Sequence, residues 1–206
     1  MKLNSKRIGV GLITALAVLA LSVAAAPAAE FHSEAVHTIL KGNQVGEAVF
    51  TVNAGTVKCK EASTEDTGEH ATEKVVTGGN ATISGCTAFG FINATVDLNG
   101  CEIEASASTN EVNIVNCVSP GVFTAFNCWI TISNQAGLKS VTYTNTGSGS
   151  GRYLIGHSNI TAIKYTQDSK SFPGCTTGTF TNGVLTGEGI LKGFNTAKEP
   201  VGIWKE

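Results

Sequence analysis

The chain has 206 residues, of which 42% are hydrophobic and 15% are charged, and its formal net charge is −2. Without residues 1–28, which carry three basic residues and no acid, the remaining 178 residues have a net charge of −5, and Arg152 is their only arginine. Phosphates and nucleic acids are bound by clustered arginine and lysine, so this composition excludes a nucleic-acid partner, and the apolar content excludes a disordered chain.

The first 28 residues have the three parts of a cleavable secretory signal peptide. Residues 1–7 are basic, Ile8 to Val23 is an uncharged apolar run, and Ala26-Pro27-Ala28 places small residues at −3 and −1. We expect cleavage after Ala28, with Ala29 as the alternative, and the uncleaved alternative is a membrane anchor. The mature protein is then secreted, is not inserted in a membrane, and forms a single domain over residues 29–206.

The mature chain is rich in Thr, Val, Ile, Gly and Asn, which favour strands and turns. Short strands separated by frequent turn signals indicate an all-β fold, an antiparallel sandwich or a barrel-like domain. Two loops are expected, the charged segment Lys60–Glu73 and the glycine-serine segment Thr146–Gly151. The predicted strands are Glu47–Asn53, Lys74–Thr77, Asn80–Ser84, two strands within residues 92–105, Val112–Cys117, Trp129–Ser133, Ser140–Asn145, Asn159–Thr166, Thr177–Thr181, Val184–Gly187 and Val201–Lys205.

Three turn signals predict β-hairpins. Asn99-Gly100 is the preferred two-residue type I′ turn, and it would place Val96 opposite Ile103 on one apolar face. A second hairpin is predicted at Asn182-Gly183 and a third at Gly78-Gly79.

The cysteines predict a disulfide framework, because an even number in an exported chain is typical of bridges. A zinc site needs closer spacing than the ten residues that separate the nearest pair. The six are Cys59, Cys86, Cys101, Cys117, Cys128 and Cys175.

We predict the pairs Cys59–Cys86, Cys101–Cys117 and Cys128–Cys175 among the fifteen pairings that six cysteines allow. The central pair follows from a hairpin centred on residue 109, which places Cys101 and Cys117 directly opposite each other. That register also sets Ile103 against Val115, but it sets Asn113 against Ala105, a mismatch on the apolar face. The rival bridge Cys117–Cys128 would close a hairpin through Gly121.

Several segments of the mature chain carry a resemblance to known proteins. They are EAVFTVN at 47–53, VKCKEA at 57–62, SGCTAFG at 84–90, residues 93–96 with Asn99-Gly100-Cys101, VTYTN at 141–145, IKYT at 163–166 and a cysteine near Cys175. These segments resemble a family of exported, cysteine-containing actinobacterial proteins to which no activity is assigned. The resemblance covers most of the mature chain. It implies export and disulfides, and it implies nothing about chemistry.

No catalytic residue is predicted. The chain lacks the G-x-S-x-G nucleophile turn, and His157-Ser158 is the only suggestive pair of a base and a hydroxyl. Glu102 and Glu104 have the spacing of two glycosidase carboxylates, although alternation on a solvated sheet face places acids there equally well. Six paired cysteines leave no free thiol to act as a nucleophile.

No metal or other cofactor is predicted either. His32 and His37 flank Glu34 just after the cleavage site. The acidic residues 65–69 could offer oxygens to Ca²⁺, but they lack the ligand spacing of an EF-hand loop. Aromatic residues at Phe89–Phe91, Phe123–Phe126 and Trp129 either plug the ends of the domain or present rings to a sugar or a protein.

The sequence therefore predicts a secreted, non-catalytic binding or structural module whose ligand is unknown, with a surface glycan or a protein as its partner. Two alternatives stay open. One is a secreted glycan-acting hydrolase that uses surface carboxylates, and the other is a secreted inhibitor presented on a disulfide-fixed loop.

Overall fold

A computed structural model describes residues 28–66, 71–79, 81–170 and 173–206. The predicted leader lies outside the described residues up to position 27, as do residues 67–70 of the acidic segment. Within the described ranges one helical turn is present, a 3₁₀ turn at Gly149–Gly151, and no helix is long and apolar enough to cross a membrane.

Nineteen strands form within those ranges. In chain order they are β1 Phe31–Ser33, β2 Ile39–Val52, β3 Gly55–Cys59, β4 Glu61–Glu65, β5 Thr72–Glu73, β6 Val75–Gly78, β7 Ala81–Ser84, β8 Cys86–Ala88, β9 Ile92–Asp97, β10 Glu102–Ser106, β11 Glu111–Val115, β12 Gly121–Ala125, β13 Cys128–Ile132, β14 Gln135–Lys139, β15 Val141–Thr146, β16 Tyr153–Ser169, β17 Gly178–Phe194, β18 Pro200–Val201 and β19 Ile203–Lys205.

Eight of these strands close into an antiparallel barrel, which confirms the predicted all-β class. The ring runs β2, β3, β8, β9, β12, β13, β16, β17 and back to β2. Closure leaves no edge strand in this part of the molecule, so its backbone donors and acceptors are paired around the whole ring.

A second half, the sandwich half, is built on the same long strands. β2, β16 and β17 have 14, 17 and 17 residues and continue past the barrel, where β4, β7 and β15 extend their sheet. A separate four-stranded sheet, β14-β11-β10-β6, and a three-stranded sheet, β19-β1-β5, complete this half. Leu40 and Leu154 from the long strands are buried in one cluster with Phe31, Val76 and Ile203 from the other two sheets.

The long strands change partners at bulges. Gly46 in β2 has φ +70° and Ala162 in β16 has φ +60°, both in the left-handed region. The pairing of β16 with β17 shifts between Ile160 and Ile163, and the pairing of β17 with β2 shifts after Thr186. A bulge bends a strand and increases its twist, so these positions mark the joint between the barrel half and the sandwich half.

Aromatic side chains pack together in the core of the barrel. The ring of Phe50 lies 5.1 Å from that of Phe123 and 6.2 Å from that of Tyr165, and Tyr165 lies 5.4 Å from Phe180. Tyr165 is 1% exposed, yet its hydroxyl is satisfied, because it accepts from the Asn53 N–H at 2.8 Å and donates to Asn182 Oδ1 at 3.1 Å. A buried tyrosine with both contacts made fixes the packing around it.

The six cysteines form the three predicted pairs. Cys59–Cys86 joins the end of β3 to the start of β8, and Cys128–Cys175 joins the start of β13 to the segment before β17. Cys101–Cys117 lies where the chain leaves the barrel after β9 and returns to it before β12. Two bridges therefore tie barrel strands, and the third ties the crossing point between the halves.

The register predicted between β10 and β11 was wrong by one residue. Ile103 pairs with Ile114 rather than Val115, and Asn113 pairs with Glu104 rather than Ala105. The shift puts Ile103, Ala105, Val112 and Ile114 on one face and lets Asn113 Nδ2 donate to Glu104 Oε1 at 2.6 Å. The one-residue offset thus removes the mismatch that the predicted register contained.

The hairpin predicted at Asn99-Gly100 was wrong, although the turn itself forms. Asn99 and Gly100 have φ of 49° and 73°, and Cys101 N–H donates to Leu98 O at 2.9 Å. The strands on either side belong to different sheets, because β9 pairs with β8 and β12 while β10 pairs with β6 and β11. Since both edges of each strand are occupied, the turn is a corner between the barrel and the sandwich half.

The other two hairpins were also wrong. Asn182-Gly183 lies inside β17, where Gly183 fits because a Cβ there would come 2.9 Å from Ile163 O. Gly78-Gly79 separates β6, which pairs with β10, from β7, which pairs with β4. The segment predicted as the charged loop Lys60–Glu73 contains strands β4 and β5.

Candidate ligand-binding cavity

Three apolar cavities adjoin one another between the barrel and the sandwich half. The barrel-side cavity has a volume of about 240 Å³, the central cavity about 330 Å³ and the outer cavity about 260 Å³. Ala81 and Ile103 line all three, so the cavities meet at these two side chains. Protein interiors contain few voids larger than a water molecule, and the volume of the central cavity falls within the range of about 300–1,000 Å³ of small-molecule sites.

The three cavities share part of their walls. Phe50, Ile132, Ile163 and Leu185 close the barrel-side cavity from the barrel core. Val112 from the four-stranded sheet and Val141, Leu154 and Leu191 from the largest sheet line the central cavity. Phe31, Leu40, Val76 and Ile203 line the outer cavity.

Alanine stands at inward positions where a filled core would carry larger side chains. Ala48 on β2 and Ala62 on β4 line both the barrel-side and the central cavity, and Ala105 on β10 lines the central and outer cavities. Ala48 shares its strand face with Phe50 and Val52, which are buried in the barrel. The loss of side-chain volume therefore begins where β2 leaves the barrel.

Gln44 lines this apolar space and carries one unpaired polar atom. Its side chain lines the barrel-side and central cavities. Its Nε2 donates to Gly46 O at 2.6 Å and to Cys59 O at 2.7 Å, whereas Oε1 is buried without a hydrogen-bond partner among the described residues. A buried acceptor without a hydrogen-bond partner is costly.

Tyr143 on β15 brings a second polar group to the wall of the central and outer cavities. Its ring packs edge-on against Phe31 at 5.1 Å. Burial raises the pKa of the Tyr143 phenol to about 12, so this group stays neutral at physiological pH. Lys205 lies over the same ring at 5.5 Å, and burial lowers the pKa of its ammonium group.

The structure does not bring the suggested base and hydroxyl together. His157 Nδ1 lies 3.1 Å from Glu188 Oε2 on the neighbouring strand, while Ser158, the next residue on β16, points to the opposite face. Ser158 instead lines the central cavity.

Glu102 and Glu104 share one face of β10, as the spacing predicted. Each accepts a hydrogen bond of 2.6 Å, from Asn116 Nδ2 and Asn113 Nδ2 respectively. Ile103 between them lines the cavities, so the two carboxylates lie on the face directed away from that space.

The residues considered as metal ligands serve other contacts. His32 stacks on Trp204 at 5.4 Å, and Glu34 Oε2 accepts from the Gly202 N–H at 3.0 Å. Glu65 Oε1 lies 2.9 Å from Lys41 Nζ. In the part of the chain that the structure describes, no group of three His, Cys, Asp or Glu side chains is placed to hold a metal ion.

The aromatic turns divide between core and surface. Phe89 and Phe123 pack against the barrel core, whereas Phe91 is 81% exposed and Phe126 is 64% exposed. The pairing of β9 with β12 places the turns that carry the exposed rings at one end of the barrel. The cavities lie beyond the opposite end, which Leu98 and Gly121 line.

Sequence reasoning missed Gln44 and Tyr143 as site residues. Gln44 lies in a glycine-rich stretch, residues 42–46, for which no strand was predicted, and Tyr143 read as an ordinary strand residue. The one available signal was the small side chain of Ala48 in line with Phe50 and Val52. No family model, curated protein or solved structure matches this chain, so the candidate site rests on its geometry.

Proposed function

We propose that the protein is an exported, non-catalytic binding module that holds a small, largely apolar molecule between its barrel and sandwich halves. The observation that carries the proposal is the set of three adjoining apolar cavities. Their walls come from every sheet of the molecule, so a bound molecule would contact both halves at once.

The energy of empty space supports this function. Removing core side chains destabilises proteins by roughly 24 cal/mol per Å³ of cavity. The barrel-side cavity is only partly enclosed, so its apolar lining carries a fraction of such a cost while it is empty. A bound apolar molecule recovers the lost contacts, and its binding stabilises the folded state.

Export is part of the same proposal. The charged, apolar and small-residue regions of residues 1–28 support a cleaved leader. Three disulfides among the six cysteines fit an oxidising compartment. The resemblance to exported actinobacterial proteins points the same way.

The hydrolase alternative has less support. The carboxylates of Glu102 and Glu104 are engaged by asparagine side chains and lie on the face directed away from the cavities. Nothing in the described residues favours the inhibitor alternative by a particular contact.

The experiment is a titration of the secreted protein with N-phenyl-1-naphthylamine, an apolar dye whose emission rises in a dry site. We expect saturable one-to-one binding to the wild type. Ala48→Phe fills the space shared by two cavities and should weaken binding at least tenfold. Ala136→Phe is the matched control, because Ala136 is exposed on β14, and it should bind like the wild type.

A second filling variant, Ala81→Leu, guards against a loss of binding caused by misfolding. The melting temperature of each variant shows whether it is folded. Equal dye binding in folded filling variants contradicts the proposal.

A further inference from the structure

We propose that the cavities hold one neutral, unbranched, long-chain amphiphile, which lies along the long strands with its apolar end at the barrel and its polar end at the outer cavity. The inference deepens the proposed function and rests on it. It assigns the shape, the direction and the charge of the ligand.

The three cavities follow one another along the long strands. On β2, Leu40 lines the outer cavity, Gly42 the central cavity and Phe50 the barrel-side cavity. β17 keeps the same order, because Leu191 lines the outer and central cavities and Leu185 lines the central and barrel-side cavities. These two leucines are six residues apart, which corresponds to about 20 Å of strand. A space extended in one direction fits a linear chain better than a compact molecule.

Neighbouring cavities share lining residues from opposite walls. Ala48 and Ala62 from the largest sheet, and Ile103 from the four-stranded sheet, line both the barrel-side and the central cavity. Leu154 and Ala105 do the same for the central and outer cavities. Ile103 is 39% exposed, so the space around it admits water-sized groups. Because the alanine side chains are too short to span this space, one chain can pass from cavity to cavity.

The lining becomes more polar away from the barrel, and this sets the direction of the ligand. Gln44 is the only polar side chain among the described residues that line the barrel-side cavity. His32, Asp66 and Glu73 line the outer cavity. A polar head group finds hydrogen-bonding groups at the outer end, whereas an unpaired polar group at the barrel end is costly. The apolar end of the ligand therefore occupies the barrel-side cavity.

The lining also sets the charge of the head group. Asp66 and Glu73 bring carboxylates to the outer cavity. In the part of the chain that the structure describes, no lysine or arginine lines any of the three cavities. A carboxylate head group would lie near like charges without a cation to pair with. A hydroxyl or an amide head group avoids this repulsion.

The first measurement compares two isomeric alcohols, 1-dodecanol and the branched 2-butyl-1-octanol. They have the same formula and differ in shape. Each is titrated against N-phenyl-1-naphthylamine bound to the full secreted protein. We expect the linear alcohol to bind at least tenfold more tightly, because two arms do not lie side by side along one row of cavities. Dodecanoate should bind more weakly than 1-dodecanol at neutral pH, and tighter binding would overturn the assigned charge.

The second measurement follows the linear alcohols from 1-hexanol to 1-tetradecanol. In the wild type each added methylene should tighten binding about fourfold until the chain fills the barrel-side cavity. Ile83 lines this cavity and neither of the others, so Ile83→Phe should weaken the longest alcohols at least tenfold and leave 1-hexanol unchanged. Ile155→Phe is the matched control and should keep the wild-type series. Ile155 follows Leu154 on β16, so it points to the opposite face, and it lines none of the three cavities.

The outcomes separate the two proposals. If no alcohol displaces the dye, the proposed function fails. If the branched isomer binds as tightly as the linear one, or if folded Ile83→Phe weakens every chain length equally, the linear arrangement is overturned and the binding function stands. If Ile83→Phe does not fold or does not bind the dye, the isomer comparison on the wild type decides.

Discussion

The barrel half and the sandwich half share three long strands and differ in what lies between their sheets. In the barrel, aromatic rings of Phe50, Phe123 and Tyr165 meet within 5.1–6.2 Å. In the sandwich half, Ala62 and Ala105 face unfilled space. Two of the three disulfides tie barrel strands, and the third lies at the crossing point.

The comparison teaches that backbone architecture and core filling are set separately. The same strand, β2, carries Phe50 into a packed core and Gln44 into a cavity, with the bulge at Gly46 between them. We infer that the cross-linked barrel supplies the stability that lets the other half keep space for a ligand.

The largest expected effect comes from removing the cross-links. The bridges span sequence separations of 27, 16 and 47 residues, for which the chain-entropy model gives roughly 3–4 kcal/mol each. Their sum, on the order of 10 kcal/mol, rivals the stability of a whole domain, so full reduction should unfold the protein. Circular dichroism with and without dithiothreitol measures this, and a reduced protein that melts at the unreduced temperature would contradict it.

Single bridges sharpen the comparison. Cys128→Ala/Cys175→Ala opens the longest barrel loop and should cost about 4 kcal/mol, whereas Cys101→Ala/Cys117→Ala should cost about 3 kcal/mol. Urea unfolding of both double variants provides the free energies. The opposite order would show that the crossing point, and not the barrel, limits stability.

Adding side-chain volume should have opposite results in the two halves. Ala88 on β8 is 1% exposed in the barrel core, so Ala88→Leu should destabilise by about 1–3 kcal/mol through overpacking. Ala62→Leu projects into the cavities and should be neutral or stabilising. Urea unfolding of the ligand-free proteins compares them, and equal losses in both variants would mean that the cavities are filled in solution.

A smaller effect is expected from the phenol of Tyr143. Burial raises its pKa from 10.0 to about 12, so its contribution is complete below pH 10 and is lost as pH rises from 10 to 12. At pH 11 the wild type should have lost about 1.4 kcal/mol through this group relative to pH 8. The free energy of unfolding of Tyr143→Phe should fall less between pH 8 and pH 11, because this variant has no phenol to ionise. Parallel pH curves for the two proteins would place Tyr143 in contact with water.

The smallest effect is expected on the outer surface of the shared strands. His157 and Glu188 form a half-exposed pair at 3.1 Å, and pairs of this kind contribute about 0–1 kcal/mol. Glu188→Gln should change the free energy of unfolding by less than about 0.5 kcal/mol. A loss above 1 kcal/mol would show that the pair helps to hold the two halves together.

Local sequence patterns predicted the strands and turns of this fold better than they predicted which strands pair with each other. Asn99-Gly100 forms the turn its dipeptide favours, because turn geometry is set within four residues. Which strand pairs with which depends on residues distant in sequence. The edges of β9 were taken by β8 and β12, and no local pattern near Asn99 reports that competition.

The cysteine pairing was predicted although its register was not. The Cys101–Cys117 disulfide forms although the register of β10 against β11 differs by one residue from the predicted one, with Ile103 opposite Ile114. The same one-residue shift changes which side chains lie opposite each other on a face of the sheet. The sequence did not predict the cavities, and the reason is a different one. Unfilled space is a property of several sheets together, and Gln44 becomes a site residue only when β3 and β10 are placed beside it.

The most direct test is a methyl NMR titration of the oxidised protein with 1-decanol. The central claim is that the ligand lies between the halves and leaves the part of the barrel core around Ile130 unchanged. The methyl signals of Ile103 and Leu185, which line the barrel-side cavity, should shift and saturate, while those of Ile130, buried in the barrel core, should stay in place. Shifts that never saturate, or that appear at Ile130 and not at Ile103, would contradict the account.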